Sequence, residues 1–476
     1  MNIRGYRAFG LLSFLFLQML PIHFYAMEFQ SLWLDSQRTS WPQLQSDLHC
    51  DVAVVGAGIS GVATLYYLLT STEKRVALFE RDFVASGATG HNAGLPTVYI
   101  ERPIAELVEE FGFEPVKQAY NEINSGMQLL YDISEKIGFE SELFPIPVIY
   151  FGFPSISTLL QFLEANDLSL QIGHHNWTYW VIDDEEIKQQ IPSQFHSLVQ
   201  WVSREQILNA LEISDTNCIG LAKESSGRIR MNSALFCDQL LQYLSKTFPA
   251  RCLIYERSEI SQIDLQDEEQ ILHHAFGKIF TNDAILCTNA YRNFVIIDER
   301  TKKSVTKLKE MVFQREGFLA AYPSKASHSS LTGFMSEEEF PPAVSYWYLS
   351  TTPISQSKDN KSVCLIGGPE YTLSSPLSSE EITQKAEESL QLMKKFLSQR
   401  LESPSSFSFF WHGTMGYTHN GLRWVGEDPD HPHLWYNLGC NGIGILPAIA
   451  GAQKIAKKMS GEIVGRSIFD PPASAN

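Results

Sequence analysis

Positive charge is scarce in this 476-residue chain: 37 Lys and Arg stand against 54 Asp and Glu, a net charge of −17 at pH 7. Binding a phosphate backbone needs the opposite sign, so nucleic acid is excluded as a partner. Cysteine is sparse and scattered, with seven residues at positions 50, 218, 237, 252, 287, 364 and 440. Neither CxxC nor HExxH occurs, so no disulfide framework and no metal site is expected. Internal repeats and low-complexity tracts are missing as well. What remains is an ordinary globular balance, 44% hydrophobic and 19% charged, which sets aside wholesale disorder and fibrous repeats. At roughly 100–200 residues per domain, the length accommodates two or three domains.

Charge is also missing near the start. Arg4 and Arg7 are the only charges before Glu28, and residues 8–27 between them are apolar. A basic stretch followed by an apolar one reads as an export signal or a membrane anchor. Phe24 and Tyr25 make a poor cleavage site before Ala26, and no twin arginine occurs. Positive-inside logic would then leave the rest of the chain outside the cytoplasm. A third reading is translation from Met27, where soluble composition begins, giving a cytoplasmic protein. No later segment reads as a membrane span.

Residues 28–48 form a polar lead-in. Asp51–Val55 is a short β-branched run of the kind a buried parallel strand needs, and it enters Gly56-Ala57-Gly58-Ile59-Ser60-Gly61. Val62–Leu69 continues as a helix, Arg75–Phe79 is a second strand, and Glu80 closes it. In such a βαβ unit the first glycine makes the tight turn and the second admits a pyrophosphate. The third lets helix and strand pack closely, and the acid accepts hydrogen bonds from a ribose. FAD and NAD share this unit. Farther on, apolar spacing predicts helices over 116–137, stopped by Gly138, and over 378–401, opened by a Ser378/Glu381 capping box. Strand-like runs at 147–152, 176–182, 252–263, 284–287, 312–322, 344–350 and 362–367 suggest an antiparallel sheet interleaved with the first domain.

The residues after Glu80 separate the two cofactors. Gly87-Ala88-Thr89-Gly90 and Asn92-Ala93-Gly94 resemble the segment following the fingerprint in the D-amino-acid oxidase-like FAD oxidoreductases. The gamma-glutamylputrescine oxidoreductase, glycine oxidase and sarcosine oxidase branches look most similar. Ala284–Tyr291, with its Thr288-Asn289-Ala290 turn, fits the same family. So do Trp411–Thr418 and the closing turn Leu434–Ile445. The resemblance runs from residue 30 to 465. It implies an α/β fold: a Rossmann-like FAD-binding domain interleaved with an α+β substrate domain containing an antiparallel sheet. The FAD-binding segments would be 49–115, 205–295 and 405–470, and the substrate segments 116–204 and 296–404.

On this resemblance FAD contacts are expected from Ile59, Ser60, Arg81, Ala88, Thr89, His91, Asn92, Ala93 and Gly94. Ile260, Thr288, Asn289, Gly413, Gly442, Gly444 and Ile445 would join them, beside Gly56, Gly58, Gly61 and Glu80 of the fingerprint. His91 has two readings, a covalent link to the flavin or a noncovalent phosphate-facing or packing side chain. The implied reaction is oxidation of a small-molecule amine: hydride leaves to flavin N5, the imine hydrolyses, and electrons pass to oxygen or another acceptor.

Departures from the family narrow this. Met415 stands where amino-acid-oxidising members place an Arg that clamps the substrate carboxylate. Asn420 and Arg423 replace an Asp and a Pro of the usual pattern. Tyr348, His412 and Arg423 are candidates to face the substrate, Arg423 as a substitute clamp. Tyr346, Trp347 and Trp411 are further aromatic candidates. Cys440 reads as a buried structural thiol, and His174-His175 and His273-His274 as solvated loop residues. A membrane-tethered dehydrogenase feeding a carrier and a flavin-binding protein with drifted catalysis are the alternative readings.

Overall fold

The apolar run ahead of the glycine loop forms strand Leu48–Val55, which sits between Val76–Phe79 and Gly277–Leu286 and pairs with both in parallel. The computed structural model describes residues 29–34, 38–173, 176–214, 218–324, 330–335, 346–353, 362–373, 377–398 and 406–473. Residues 1–28, and so the apolar segment 8–27, lie outside them, as do His174 and His175. Among the described residues no helix is long and apolar enough to cross a membrane.

The fold is α/β, with two large sheets. The first, ten-stranded among the described residues, has a parallel core of Cys252–Tyr255, Val76–Phe79, Leu48–Val55, Gly277–Leu286 and Leu434–Leu438. Where helices cover them its central strands are apolar and buried, at Val52–Val55, Val76–Phe79 and Ala284–Leu286. Helices Ile59–Ser71, Phe113–Ile137, Ser233–Thr247 and Ile445–Met459 share one core with this sheet. Gly126 brings two of them into backbone contact, since a Cβ there would lie 2.6 Å from the Leu446 carbonyl oxygen. The second sheet, nine-stranded among the described residues, is mostly antiparallel. It runs from Phe409–Thr418 through Val312–Ser324, Ser362–Leu373 and Tyr346–Pro353 to Leu331–Met335, then on to Phe144–Phe153 and Gly220–Arg230.

Both long helices form where the apolar spacing placed them. Phe113–Ile137 ends at Gly138, whose φ of +71° suits glycine, and Ser379–Leu397 starts at the Ser378/Glu381 capping box. Strand partners differ from expectation in several places. The runs 252–263 and 284–287 belong to the first sheet, not to the antiparallel one. Gly220–Arg230 and Phe409–Thr418, expected with the nucleotide-binding segments, pair in the second sheet, whereas Val295–Asp298 and Lys303–Ser304 pair in the first. Helix Phe113–Ile137, expected on the substrate side, packs with the nucleotide-side helices. A short apolar run specifies a strand, but its neighbours are chosen by pairing across hundreds of residues. His273 and His274 lie on strand Gln270–His274, not in a solvated loop: His273 bonds Asp264 at 2.7 Å and His274 is buried.

The lead-in is stitched to the first domain. The Ser31 hydroxyl donates to the Gly90 carbonyl at 2.5 Å and the Trp33 indole N–H to the Asn92 carbonyl at 2.5 Å. Buried Glu256 accepts from Arg38, the Trp41 amide and the Val84 amide. The lead-in thereby holds the loop that follows Glu80.

A buried ion pair anchors the outer edge of the first sheet. Lys307 Nζ lies 3.1 Å from Asp428 and 3.3 Å from Asp430. Burial raises the Asp428 carboxyl, but His431, the Tyr436 hydroxyl, the Asp430 amide and Lys307 outweigh it and hold it at about 2. The resulting stability is complete above the ordinary carboxylate range and disappears as pH falls through about 2. Asp428→Asn strands Lys307 with one partner. We expect a loss of about 3 kcal/mol in denaturant unfolding at pH 7, since breaking a buried pair costs roughly 3–5 kcal/mol. An unchanged midpoint would show that the pair contributes nothing.

Candidate active site

The glycine loop is built by the absence of side chains. Gly56 has φ of +103°, and a Cβ on it would lie 2.7 Å from the Cys287 carbonyl oxygen. A Cβ on Gly61 would run into the Gly56 carbonyl oxygen, so the helix can start only against a bare backbone. Glu80 ends the second strand with one carboxylate oxygen accepting from the Ala57 amide at 2.8 Å and the other from the Asp82 amide at 3.1 Å. Burial raises its pKa, and those two amides oppose the rise. The carboxylate is thus held at the loop, where an adenosine ribose would meet it.

From this loop a cleft of about 1020 Å³ runs between the two sheets. That reaches the top of the roughly 300–1,000 Å³ range of ligand pockets, as a dinucleotide together with a substrate requires. Its lining includes Gly56, Gly58, Ile59, Ser60, Glu80, Arg81, Ala88, Thr89, His91, Asn92 and Ala93. It continues through Ile260, Thr288, Asn289, Gly413, Gly442, Gly444 and Ile445. The Thr288 hydroxyl on its wall is buried without a hydrogen-bond partner among the described residues. Helix Ile445–Met459 opens into the cleft behind Gly442-Ile443-Gly444 and presents the positive end of its dipole. The orphaned hydroxyl, the bare glycine loop and the oriented Glu80 suit FAD.

Two expected residues lie behind the lining. Gly61 supports the loop from within, and Gly94, with φ of +67°, packs against the Trp33 ring. Asn92 ties that stretch together, its amide donating to the Thr89 carbonyl at 3.0 Å and to Ser233 Oγ at 2.9 Å. His91 lines the cleft with Nδ1 2.9 Å from the Gly87 carbonyl. Burial lowers its pKa, so the ring stands neutral near pH 7. Arg81 lies across the Tyr291 ring, 3.8 Å from its centroid.

At the substrate end the outcomes divide. Tyr346, Tyr348 and Met415 line the cleft. His412 does not: it alternates to the far face of its strand, where its Nδ1 meets Glu316 and its ring packs on Phe29. Trp347 points away as well and stacks on Phe396, and Trp411 is buried with its indole N–H on the His91 carbonyl. Period-two alternation along the two strands turns His412 and Trp347 away, whereas Trp411 shares the parity of Gly413 and Met415 and is packed under the His91 loop. Arg423 touches the cleft, but its guanidinium donates to Ser60 Oγ at 2.7 Å and to the Asn437 side chain at 2.7 Å. Burial draws its pKa down to about 10. It braces the glycine-loop helix and is not free to clamp a carboxylate. Asn420 shapes its turn by accepting from Thr418 Oγ1 and the Leu422 amide. Burial raises the Cys440 thiol.

Sequence reading missed a group at this end. Glu101, Glu370 and Tyr99 line the cleft, with Arg315 and Tyr417 beside them. Glu101 follows the family segment in irregular chain, where no periodicity marks it. Glu370 did carry a signal, an acid within the otherwise apolar strand Ser362–Leu373.

The packing at Gly61 generates a test. A methyl there overpacks the loop by about 1–3 kcal/mol, which corresponds to roughly ten- to a hundred-fold in affinity. Gly61→Ala should therefore purify with little flavin absorbance while retaining its helical circular dichroism. Full FAD content in this variant would contradict the role given to the glycine loop.

Comparisons with known proteins agree with the cleft. The sequence model of the FAD dependent oxidoreductase family, DAO, matches residues 51–458. "Probable oxidoreductase OrdL" of Haemophilus influenzae is 22% identical over 94% of this chain and 91% of its own length. Thiamine thiazole synthase of Thermococcus kodakarensis is 34% identical over 19% of this chain. The chain spans only about a fifth to a third of the length of the first curated relatives it matches. Among solved structures, glycine oxidase from Geobacillus kaustophilus superposes with a TM-score of 0.62 at 15% identity, covering 90% of this chain and 100% of that one. The chain belongs to the DAO family of FAD-dependent oxidoreductases.

Proposed function

We propose that this oxidoreductase acts on a primary or secondary amine, or an amino-acid derivative, that it does not hold by an α-carboxylate. Met415 carries the reading: it lines the cleft at the position where the family resemblance expects a carboxylate-clamping Arg. The substitute considered from sequence, Arg423, is engaged by Ser60 and Asn437. The glycine oxidase likeness, at 15% identity, supports the fold and leaves the substrate to this argument.

Gly56, Gly58, Thr89, Thr288 and the Gly442–Gly444 turn would hold FAD, with Glu80 at its ribose. When bound, FAD supplies the acceptor for the hydride that leaves the amine α-carbon. The chain's own contribution is orientation. Tyr346 and Tyr348 offer aromatic faces to an amine cation. The sheet carrying Gly413 and Met415 forms one wall of the cleft. Oxygen or another carrier takes the electrons onward in this reading, and residues 8–27 serve as anchor or export signal unless translation starts at Met27.

His91 keeps its two readings, which acid precipitation separates. Colour that stays with the pellet, and is lost in His91→Ala, marks a covalent bond; colour in the supernatant marks noncovalent FAD.

Anaerobic flavin bleaching against an amine panel tests the substrate class. A missing guanidinium–carboxylate contact is worth about 1.5–3 kcal/mol, so amines without an α-carboxylate should reduce the flavin roughly ten- to a hundred-fold more efficiently than glycine or D-alanine. Faster reduction by either amino acid would refute the proposal.

A further inference from the structure

We propose that Glu101 and Glu370 form an acid pair that receives the substrate's ammonium group and accepts a proton from it. The inference rests on the amine reading above and names the residues that read the amine.

The pair is placed by two distant parts of the chain. Glu101 precedes helix Ile104–Phe111, and Glu370 lies on strand Ser362–Leu373. Both line the cleft. The Tyr346 hydroxyl donates to Glu101 at 3.4 Å and the Tyr417 hydroxyl to Glu370 at 3.2 Å. A Cβ on Gly442 would lie 2.8 Å from both Glu101 Oε1 and the Tyr417 hydroxyl, so these oxygens stand directly against the closing turn. The family resemblance brings that turn to the flavin ring.

An ordinary structural ion pair would look different. Arg315 approaches Glu370 only to 3.9 Å, beyond hydrogen-bond distance, and stacks on the Tyr417 ring at 4.2 Å. Its Nε is buried without a hydrogen-bond partner among the described residues. Two carboxylates against one guanidinium leave an excess negative charge in a half-buried place beside the cleft, which a proton or a bound cation would balance. Burial, and for Glu101 the charge of Glu370, raise the pair to about 8 and about 7. Arg315 opposes both rises. The remaining groups around the pair are Tyr99, Tyr348, Cys440 and Arg102, whose guanidinium is turned to the Asn420 carbonyl and Glu110.

An alkylammonium fits this place, its charge against the carboxylates and its carbons against the tyrosine faces. One N–H bond breaks, an O–H bond forms on the carboxylate, and the electron pair stays on nitrogen. The neutral amine can then lose hydride from its α-carbon, because the freed lone pair forms the C=N bond. After product leaves, the carboxyl returns its proton to solvent.

The test uses FAD-loaded full-length protein, Glu101→Gln, Glu370→Gln and Glu370→Asp, with FAD content checked by absorbance. Tetramethylammonium, which has no N–H to lose, is titrated against the bound-flavin spectrum, and flavin reduction by the best amine is followed against pH. In the native protein kcat/KM should fall as pH drops from about 8 through 7, as the pair protonates and loses its cation. Glu370→Gln removes the negative neighbour, so the remaining limb should move to lower pH. Both Gln variants should bind tetramethylammonium at least about ten-fold more weakly, while Glu370→Asp restores much of the binding. Gln variants that hold FAD yet keep the native pH limb and cation affinity would overturn the proposal. If Glu101→Gln loses FAD, the two Glu370 variants decide between the same outcomes. If no amine reduces the native flavin but tetramethylammonium binds and is lost in the Gln variants, the oxidation reading fails and the acid pair stands.

Discussion

The close approach of bare backbone at a few glycines holds this cleft open and in shape. Gly61 meets the Gly56 carbonyl, Gly56 meets Cys287, Gly413 meets His91, and Gly416 meets the Asn289–Ala290 backbone. Most of these contacts join segments far apart in sequence, at distances no Cβ tolerates. The glycine loop, the turn at Thr288-Asn289 and the strand carrying Met415 can therefore converge on one cavity. Larger residues would separate the two sheets and remove the wall against which a dinucleotide lies.

The two sheets divide the work. The first is a helix-covered parallel core whose strands end at the glycine-loop end of the cleft, the end at which such sheets generally bind ligands. The second contributes one face of its strands to the substrate side. Alternation on those strands sends Gly413, Met415, Tyr346 and Tyr348 to the cleft and His412 and Trp347 away from it. The lead-in seals the arrangement, because Ser31 and Trp33 hold the Gly90–Asn92 loop from outside.

Electrostatics follows from which cations are already engaged. Arg423 is committed to Ser60 and Asn437, and Lys307 to Asp428 and Asp430, so these buried positive groups brace the fold. Among the described residues, Glu101 and Glu370 have no such close cation. Lys307 and Arg423 are hydrogen-bonded at short range, while the partners of the two acids among the described residues are tyrosine hydroxyls and a more distant guanidinium. Unbalanced buried charge opposes folding, and natural proteins tolerate it where binding needs it.

Local pattern alone determined the strand–loop–helix–strand unit, the place of Glu80 at the end of its second strand, the long helices with their caps, and the family to which the chain belongs. These depend on residues adjacent in sequence: a tight turn needs glycine, a helix end needs a cap, and a ribose acceptor must end the second strand. Which sheet Gly220–Arg230 and Val295–Asp298 join was not legible, because their pairing partners lie across the chain. The side on which His412 and Trp347 point was not legible either, because strand facing depends on register with neighbours, and the engagement of Arg423 was not legible because its partner Ser60 lies across the chain. The acid pair illustrates the limit most directly. Glu101 and Glu370 are separated by most of the chain and share no motif, and only tertiary packing, which half-buries both beside the cleft with Glu101 against Gly442 and each acid on a tyrosine hydroxyl, brings the two glutamates together.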